Sequence, residues 1–143
     1  MKKNSQAQIE ESICELLGER EEVRFAYLFG SRVEGVSRPS SDLDLAVYLD
    51  EDHLSKRDPL YETRLSLEIE KAIAEMFEVD IVVFNHSSLV LKYQVTKKGK
   101  LVHYKDEAEA RDFEALIRKK YFDFYPMRKE YNEERLNRYG VSR

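Results

Sequence analysis

The chain has 143 residues, enough for one domain with a hydrophobic core, and 42% of its residues are hydrophobic. Its 24 basic and 28 acidic residues give a net charge of −4, which argues against direct nucleic-acid binding because that needs a basic surface. One cysteine excludes an internal disulfide, three scattered histidines argue against a zinc site, and the five glycines cannot form a Walker A or G-x-G-x-x-G loop.

The distribution of apolar residues argues against a membrane or secreted protein. No run approaches the roughly 18 apolar residues of a membrane helix. The polar N-terminus lacks the apolar region of a signal peptide. We therefore expect a cytoplasmic chain that has no membrane partner.

The first third of the chain is predicted to form a helix and two strands. An amphipathic helix over residues 5–18, with Cys14 packed inside, is indicated by the helical spacing of Ile9, Ile13, Leu16 and Leu17. Apolar runs predict strands over residues 23–29 and 42–49. An acidic turn is predicted at residues 50–52.

Two carboxylates open the second of these strands. Asp42 and Asp44 are two residues apart and therefore project from the same face of a strand. Side-by-side carboxylates repel each other, and Mg²⁺, which takes one or two carboxylates plus substrate phosphates, is the usual reason to tolerate this. Gly30 and Ser31 end the first strand, and a helical turn over 31–35 is predicted to aim N–H groups at a phosphate. The combination indicates phosphoryl or nucleotidyl transfer.

The middle of the chain is predicted to form a long helix and a buried strand. The helix over 58–77 has one apolar stripe, which consists of Leu60, Tyr61, Leu65, Ile69, Ala72, Ile73, Met76 and Phe77. The strand over 78–84 is rich in β-branched residues but carries Asp80 near its start. Asp80 is interpreted either as an exposed or capping residue at a strand end or as a third carboxylate brought beside Asp42 and Asp44. Glu78, on the same face, is the fallback for that role.

The last third is predicted to contain a helix, a strand and a helical tail. The helix covers 87–97 and the strand 101–104; His86 and His103 are interpreted as structural residues. The minimal domain is therefore placed at 1–105, with a C-terminal helical extension at 106–143 in the same compact unit. That extension is predicted to be a helix from 107 to 125 broken at Pro126, followed by a second helix to Arg138. Its aromatic stripe either packs on the sheet or, over residues 121–139, binds a protein partner.

The Gly30-Ser31 pair, followed after ten residues by Asp42-x-Asp44, resembles the signature of the DNA polymerase beta-like nucleotidyltransferases. The small size resembles the minimal nucleotidyltransferases, the MNT antitoxins of HEPN/MNT toxin–antitoxin pairs. The resemblance implies an α/β (α+β) nucleotidyltransferase fold: a mixed four- to five-stranded sheet with packed helices and a C-terminal helical tail. The acidic residue on the third strand in this family matches Asp80.

The resemblance also implies a reaction and a partner. MNT antitoxins move AMP from ATP to a tyrosine of a HEPN ribonuclease toxin, with which they form an oligomeric complex. Two Mg²⁺ ions would then be held by Asp42, Asp44 and Asp80. The nucleotide would be bound by Gly30, Ser31, Arg32, Arg38 and Ser41.

Two alternatives stay open. One is a nucleotidyltransferase acting on a small molecule or an RNA. The other is an antitoxin that neutralises its toxin by occlusion and keeps the acidic residues as a relic. The intact Asp42-x-Asp44 pair argues against a relic, because two adjacent charges are costly without a metal.

Overall fold

The computed structural model describes residues 6–30, 42–56, 58–74 and 77–138; for residues 55 and 125–138 the description covers the backbone. A short 3₁₀ turn, Phe84–His86, follows the third strand. The other elements in chain order are α1 Gln6–Gly18, β1 Val23–Phe29, β2 Leu43–Leu49, α2 Glu51–Lys56, α3 Tyr61–Ala72, β3 Val79–Val83, α4 Leu89–Lys98, β4 Lys100–Tyr104 and α5 Glu107–Arg138.

The four strands form one mixed sheet in the order β3-β2-β1-β4. β1 is antiparallel to both β2 and β4, whereas β2 and β3 run parallel. The parallel pair is connected through α2 and α3, as a parallel connection requires a crossover. This sheet confirms the predicted mixed α+β architecture, with four strands in the part of the chain that the structure describes.

One face of the sheet, which we call the α1/α3 face, is covered by the first and third helices. Its core contains Ile9, Ile13 and Leu17 from α1 together with Leu65, Ile69 and Ile73 from α3 and its C-terminal end. From the sheet it takes the residues of β2 that alternate inward, which are Leu43, Leu45, Val47 and Leu49. Because the period of a strand is two, the residues between them point to the other face.

The opposite face, which we call the α4/α5 face, is aromatic. The Phe25 ring stacks on Tyr48 at 4.8 Å between centroids, and Phe113 of α5 lies 5.3 Å from Phe25 and 5.2 Å from Phe84. Val95 of α4 is buried in the same cluster. The first third of α5 therefore packs on the sheet, as one of the two interpretations of its aromatic stripe predicts.

Several predicted boundaries are wrong in ways that have physical causes. Residues 51–56 form α2 instead of an acidic turn, because Glu51 and Asp52 suit the positive end of a helix and Leu54 is buried beneath it. α3 is shorter than the predicted 58–77, since Ala74 adopts a left-handed φ of 59° that ends the helical path.

Three side chains also differ from prediction, and a fourth cannot be compared with it. Leu60 is 55% exposed and Ala72 is exposed, although both were assigned to the core stripe of α3. Cys14 is exposed, because it falls one position beyond the buried Ile13 on α1. Met76 lies outside the described residues.

The prediction of a break at Pro126 is wrong, because α5 runs without interruption from Glu107 to Arg138. A proline inside a helix forfeits the N–H bond to the carbonyl four residues earlier, at a cost of about 3 kcal/mol. That loss bends or strains a helix without necessarily ending it, since the bonds on either side are kept.

Candidate active site

Strand pairing brings two carboxylates together at one end of the sheet. In the parallel register of β2 and β3, Asp44 is the direct partner of Asp80. Both project from the α4/α5 face, since their neighbours Leu43, Leu45 and Val79 belong to the core of the α1/α3 face. Asp44 is partly buried and Asp80 is exposed. The structure therefore places Asp80 beside Asp44, at the position from which a third carboxylate was predicted to act; its role as a ligand stays a prediction.

Asp42 completes this acidic group from the residue before β2. Its side chain is exposed, and it is two residues from Asp44. Burial raises the pKa of Asp44, and the negative charges of Asp80 and Asp42 raise it further. The two neighbouring carboxylates therefore raise the electrostatic cost of ionising Asp44. Glu78, the fallback, is exposed, and its main-chain carbonyl accepts a 2.8 Å hydrogen bond from Leu43.

The carboxylate arrangement suits a divalent cation whose remaining coordination positions are filled by substrate or water. Within residues 6–30, 42–56, 58–74 and 77–138, no group of three or more His, Cys, Asp or Glu side chains is gathered to hold a metal. Asp44 and Asp80 instead form an adjacent pair, with Asp42 exposed at its edge. Mg²⁺ is commonly bound by one or two carboxylates, with phosphates and waters filling the remaining positions. The donor set therefore fits Mg²⁺ together with a phosphorylated substrate better than a closed structural metal site.

Gly30 brings the main chain directly against this pair. Its φ is +88°, in the left-handed region that favours glycine. A Cβ at this position would lie 3.2 Å from the Asp44 Cγ and would collide with the Asp44 Oδ2. The turn after β1 therefore approaches the carboxylate as closely as only glycine allows, because Phe29 is the register partner of Asp44.

A cleft of about 120 Å³ adjoins Gly30. It lies between the end of β1 and α4 and is lined by Phe29, Gly30, Leu91, Gln94, Val95 and Lys98. Sequence reasoning did not select Gln94 or Lys98 as site residues. The basic run Lys97-Lys98-Gly99-Lys100 is the signal that marks this segment.

Four predicted site residues lie outside the described residues. They are Ser31, Arg32, Arg38 and Ser41, and the predicted helical turn over 31–35 lies there too.

A polar network ties α5 to the strand that leads into the site. The buried Tyr27 hydroxyl donates to Glu114 of α5, and Arg111 donates to the same carboxylate at 3.0 Å. Burial, and then the bond to Glu114, raise the pKa of Tyr27 well above its usual range. Tyr27 is therefore a neutral hydrogen-bond donor that links β1 to α5.

His103 is buried, and its structural role stays a prediction. It is 6% exposed on β4, and its Nε2 has no hydrogen-bond partner in the described part of the chain. Burial and the charge of Lys105 lower its pKa, while a bond to the Val23 backbone raises it. His86 is exposed at the end of the 3₁₀ turn.

Comparison with known proteins identifies both a family and a fold. The family model "Polymerase beta, Nucleotidyltransferase" matches residues 11–108. A search of curated proteins finds no match. None of the helices described is long and apolar enough to cross a membrane.

Three solved structures share the fold over nearly their whole length. A toxin–antitoxin with AMP-PNP is 24% identical, with a TM-score of 0.73, covering 89% of this chain and 98% of that chain. The toxin–antitoxin MntA-HepT is 23% identical, with a TM-score of 0.69 and coverage of 92% and 99%. A tri-AMPylated Shewanella oneidensis HEPN toxin in complex with MNT antitoxin is matched at 22% identity, a TM-score of 0.70 and coverage of 92% and 99%.

Proposed function

Because the chain belongs to the polymerase beta nucleotidyltransferase family, we propose that it is a Mg²⁺-dependent adenylyltransferase and an antitoxin. It transfers AMP from ATP to a tyrosine of a HEPN ribonuclease toxin and thereby silences it. The observation that carries this proposal is the register pair of Asp44 and Asp80, with the main chain at Gly30 against it. Such a site has a place for a metal and an adjacent turn for phosphates.

The nature of the similar structures supports the choice of nucleotide and acceptor. One is a toxin–antitoxin with AMP-PNP, and another contains a HEPN toxin that is tri-AMPylated and bound to an MNT antitoxin. This chain has the same fold over about nine-tenths of its length. An ATP-derived AMP and a HEPN partner are therefore the substrate and acceptor that we assign.

The reaction is a displacement at the α-phosphorus of ATP. The tyrosine oxygen of the partner forms a bond to the α-phosphorus, and the bond from that phosphorus to the bridging oxygen of the β-phosphate breaks. Pyrophosphate leaves with the electron pair, and Asp80 accepts the hydroxyl proton. Alignment and charge stabilisation, not covalent catalysis, lower the barrier.

The residues of this chain have distinct roles in that step. Asp42, Asp44 and Asp80 would hold the Mg²⁺ ions, with Asp80 as the ligand on the acceptor side. Mg²⁺, when bound, offsets the charge that develops on the acceptor oxygen and on the leaving phosphates. The Gly30 and Ser31 N–H groups bind the β- and γ-phosphates, and the remaining nucleotide contacts are assigned to Arg32, Arg38 and Ser41.

The partner surface is assigned to the C-terminal helix. Past its packed first third, α5 exposes large aromatic side chains: Phe122 is 57% exposed and Phe124 40%. Exposed aromatic residues of this kind are enriched at protein interfaces. The proposed surface extends over residues 121–139, of which 125–139 lie beyond the described side chains.

The test is transfer of label from ATP carrying ³²P at the α-phosphate. The chain is purified with its HEPN partner, incubated with Mg²⁺ and labelled ATP, and compared with a variant carrying Asp42→Asn and Asp44→Asn. We expect label on the partner with the wild-type chain and its loss in the variant. A matched control, Glu15→Gln on the exposed side of α1, is expected to keep full labelling.

The alternatives predict different outcomes. If the Asp42→Asn and Asp44→Asn variant transfers no label but still neutralises the toxin in a stable complex, the occluding antitoxin is favoured. Label that appears on a co-purifying RNA or small molecule, with none on the partner, would favour the other class of nucleotidyltransferase.

A further inference from the structure

We propose that Glu70 of α3 is a positioning residue for the proposed reaction, because it fixes the strand that carries Asp80 beside Asp44. The inference rests on the proposed function, since Asp80 is the carboxylate that we assign to the acceptor side of the metal. Glu70 acts on the main chain of β3 and not on the reacting atoms. It is therefore a positioning residue and not a catalytic one.

The contact is a single hydrogen bond at the start of β3. The N–H of Val79, the residue before Asp80, donates to the Glu70 Oε2 at 3.0 Å. Val79 is 5% exposed and Glu70 is half-buried. A buried N–H group needs a partner, because leaving it unpaired in a protein interior is costly. Glu70 supplies that partner from the neighbouring helix.

The position of β3 in the sheet explains why a side chain is needed at this point. β3 is an edge strand whose neighbour in the sheet is β2. The Glu78 carbonyl accepts from the Leu43 N–H at 2.8 Å, so the main-chain groups of Glu78 face β2. Successive residues of a strand direct these groups to opposite sides, and the Val79 N–H therefore points to the open edge. β2 cannot pair with this N–H, and Glu70 does.

The end of α3 holds Glu70 in place. Ile69 and Ile73, on either side of it in the sequence, are fully buried in the core of the α1/α3 face. The Ile73 N–H donates to the Ile69 carbonyl at 3.0 Å, which closes the turn that carries Glu70. Val79 belongs to the same core. The carboxylate and the N–H that it accepts from are therefore attached to one packed unit.

The strand register transmits this contact to the candidate site. Val79 pairs with Leu43 and Asp80 with Asp44, so the first two residues of β3 lie against the first two of β2. Strand ends are where local opening costs least, and an unpaired Val79 N–H would favour opening there. Opening would move Asp80 away from Asp44. Replacing a residue that orients a metal ligand typically costs about 10- to 100-fold in metal affinity or activity.

The test compares Glu70→Met with Glu70→Gln and with the control Glu68→Met. Methionine cannot accept the bond, whereas glutamine loses the charge and keeps an acceptor oxygen. Glu68 lies on the same helix and pairs with Arg20 instead. AMP transfer to the HEPN partner is measured over a range of ATP and Mg²⁺ concentrations. We expect Glu70→Met to lower kcat and to raise the half-saturating Mg²⁺ concentration, each about tenfold, while the KM for ATP stays within about twofold.

The two other variants are expected to match the wild type in kcat, in KM and in Mg²⁺ dependence. Amide hydrogen exchange, followed by NMR on the chain alone, gives a readout that does not depend on activity. The Val79 N–H is expected to exchange about tenfold faster in Glu70→Met and at the wild-type rate in Glu70→Gln. If circular dichroism finds Glu70→Met unfolded, Glu70→Leu takes its place with the same expected results.

The inference and the proposed function fail in different ways. Wild-type kcat and Mg²⁺ dependence in Glu70→Met would overturn the positioning role alone. Equal losses in Glu70→Gln and Glu70→Met would overturn it too, since the charge and not the accepted bond would then matter. A lower kcat without faster exchange at Val79 would overturn the route through β3. A wild-type chain that transfers no AMP to its partner would overturn the proposed function and the positioning role with it.

Discussion

At the scale of single residues, Gly30 illustrates how closely the main chain approaches the acidic group. Its φ of +88° and the collision of any Cβ with the Asp44 carboxylate both exclude larger residues. The glycine is therefore required by two independent constraints. Either one alone would make a substitution costly.

The first prediction concerns Gly30→Ala. We expect it to lower the free energy of unfolding by about 1–3 kcal/mol through backbone strain. Displacement of Asp44 should reduce AMP transfer on the order of a hundredfold. Urea unfolding and label transfer measure the two effects. Gly18→Ala is the control, since no atom lies within 4 Å of its added Cβ; similar losses in both variants would contradict the account.

The second prediction concerns His103 and pH. Its pKa is lowered below the ordinary value of 6.5 in the folded chain, so the unfolded chain binds the proton more readily. The stability that His103 contributes is therefore fully present above pH 6.5 and is lost as pH falls through the lower, folded pKa. Melting temperatures between pH 8 and pH 5 are expected to fall more steeply in the wild type than in His103→Phe. The exposed His53→Asn variant is the control, and a wild-type slope in His103→Phe would contradict the prediction.

At the scale of elements, the strands were predictable and the helix ends were not. The apolar runs indicated β1, β2 and β3 to within one residue, and the two-residue period put Asp42 and Asp44 on one face. The position of Asp80 in β3 was evident, but its pairing with Asp44 depends on strand order, which local pattern does not contain. The resemblance supplied that order.

The errors at helix ends have a common origin. α3 ends at Ala72, just before the left-handed Ala74, and α5 continues through Pro126, although propensity favours the opposite in both cases. The backbone conformation of the whole element outweighs the preference of a single residue. Leu60 and Cys14 were wrongly predicted to be buried. The helical spacing of apolar residues does not show how far along the helix the neighbouring element covers them.

The third prediction tests how α3 is held to the sheet. Ile69 is fully buried in the core of the α1/α3 face, whereas Leu67 on the same helix is 52% exposed. We expect Ile69→Ala to lower the free energy of unfolding by about 2–5 kcal/mol and Leu67→Ala to change it by less than roughly 0.5 kcal/mol. Urea denaturation measures both. Equal losses of unfolding free energy in the two variants would mean that α3 does not pack on the sheet through Ile69.

At the scale of the whole molecule, the two faces of the sheet have different roles. The α1/α3 face is a continuous aliphatic core, and the α4/α5 face is part aromatic core and part candidate site. The cleft at Gly30 exists only after α4 has folded back onto β1. For this reason the sequence indicated the carboxylates, which are local to one strand, and missed Gln94 and Lys98.

The fourth prediction separates the folding and partner-binding roles of α5. Phe113 and Tyr121 anchor the helix, the latter by a parallel stack on Tyr93 at 3.8 Å. Phe122 and Phe124 are exposed. A Phe122→Ser and Phe124→Ser double variant is expected to keep its Tm within about 4 °C, the shift that roughly 1 kcal/mol produces in a domain of this size. Co-purification with a HEPN partner is expected to be lost.

The control for this variant is Leu67→Ser, an equally exposed apolar side chain on α3. It is expected to keep both Tm and co-purification. Retention of the partner by the double variant would place the interface elsewhere on the molecule.

The central claim is that the acidic group at the end of β2 and β3 transfers AMP to a protein, and intact mass tests it most directly. A HEPN partner is produced together with the wild-type chain, with Asp80→Asn and with the control Glu15→Gln, and its mass is measured. The account predicts a partner heavier by whole AMP units with the wild-type chain and the control, and an unmodified partner with Asp80→Asn. An unmodified partner in all three preparations, still bound and still inactive, would contradict it.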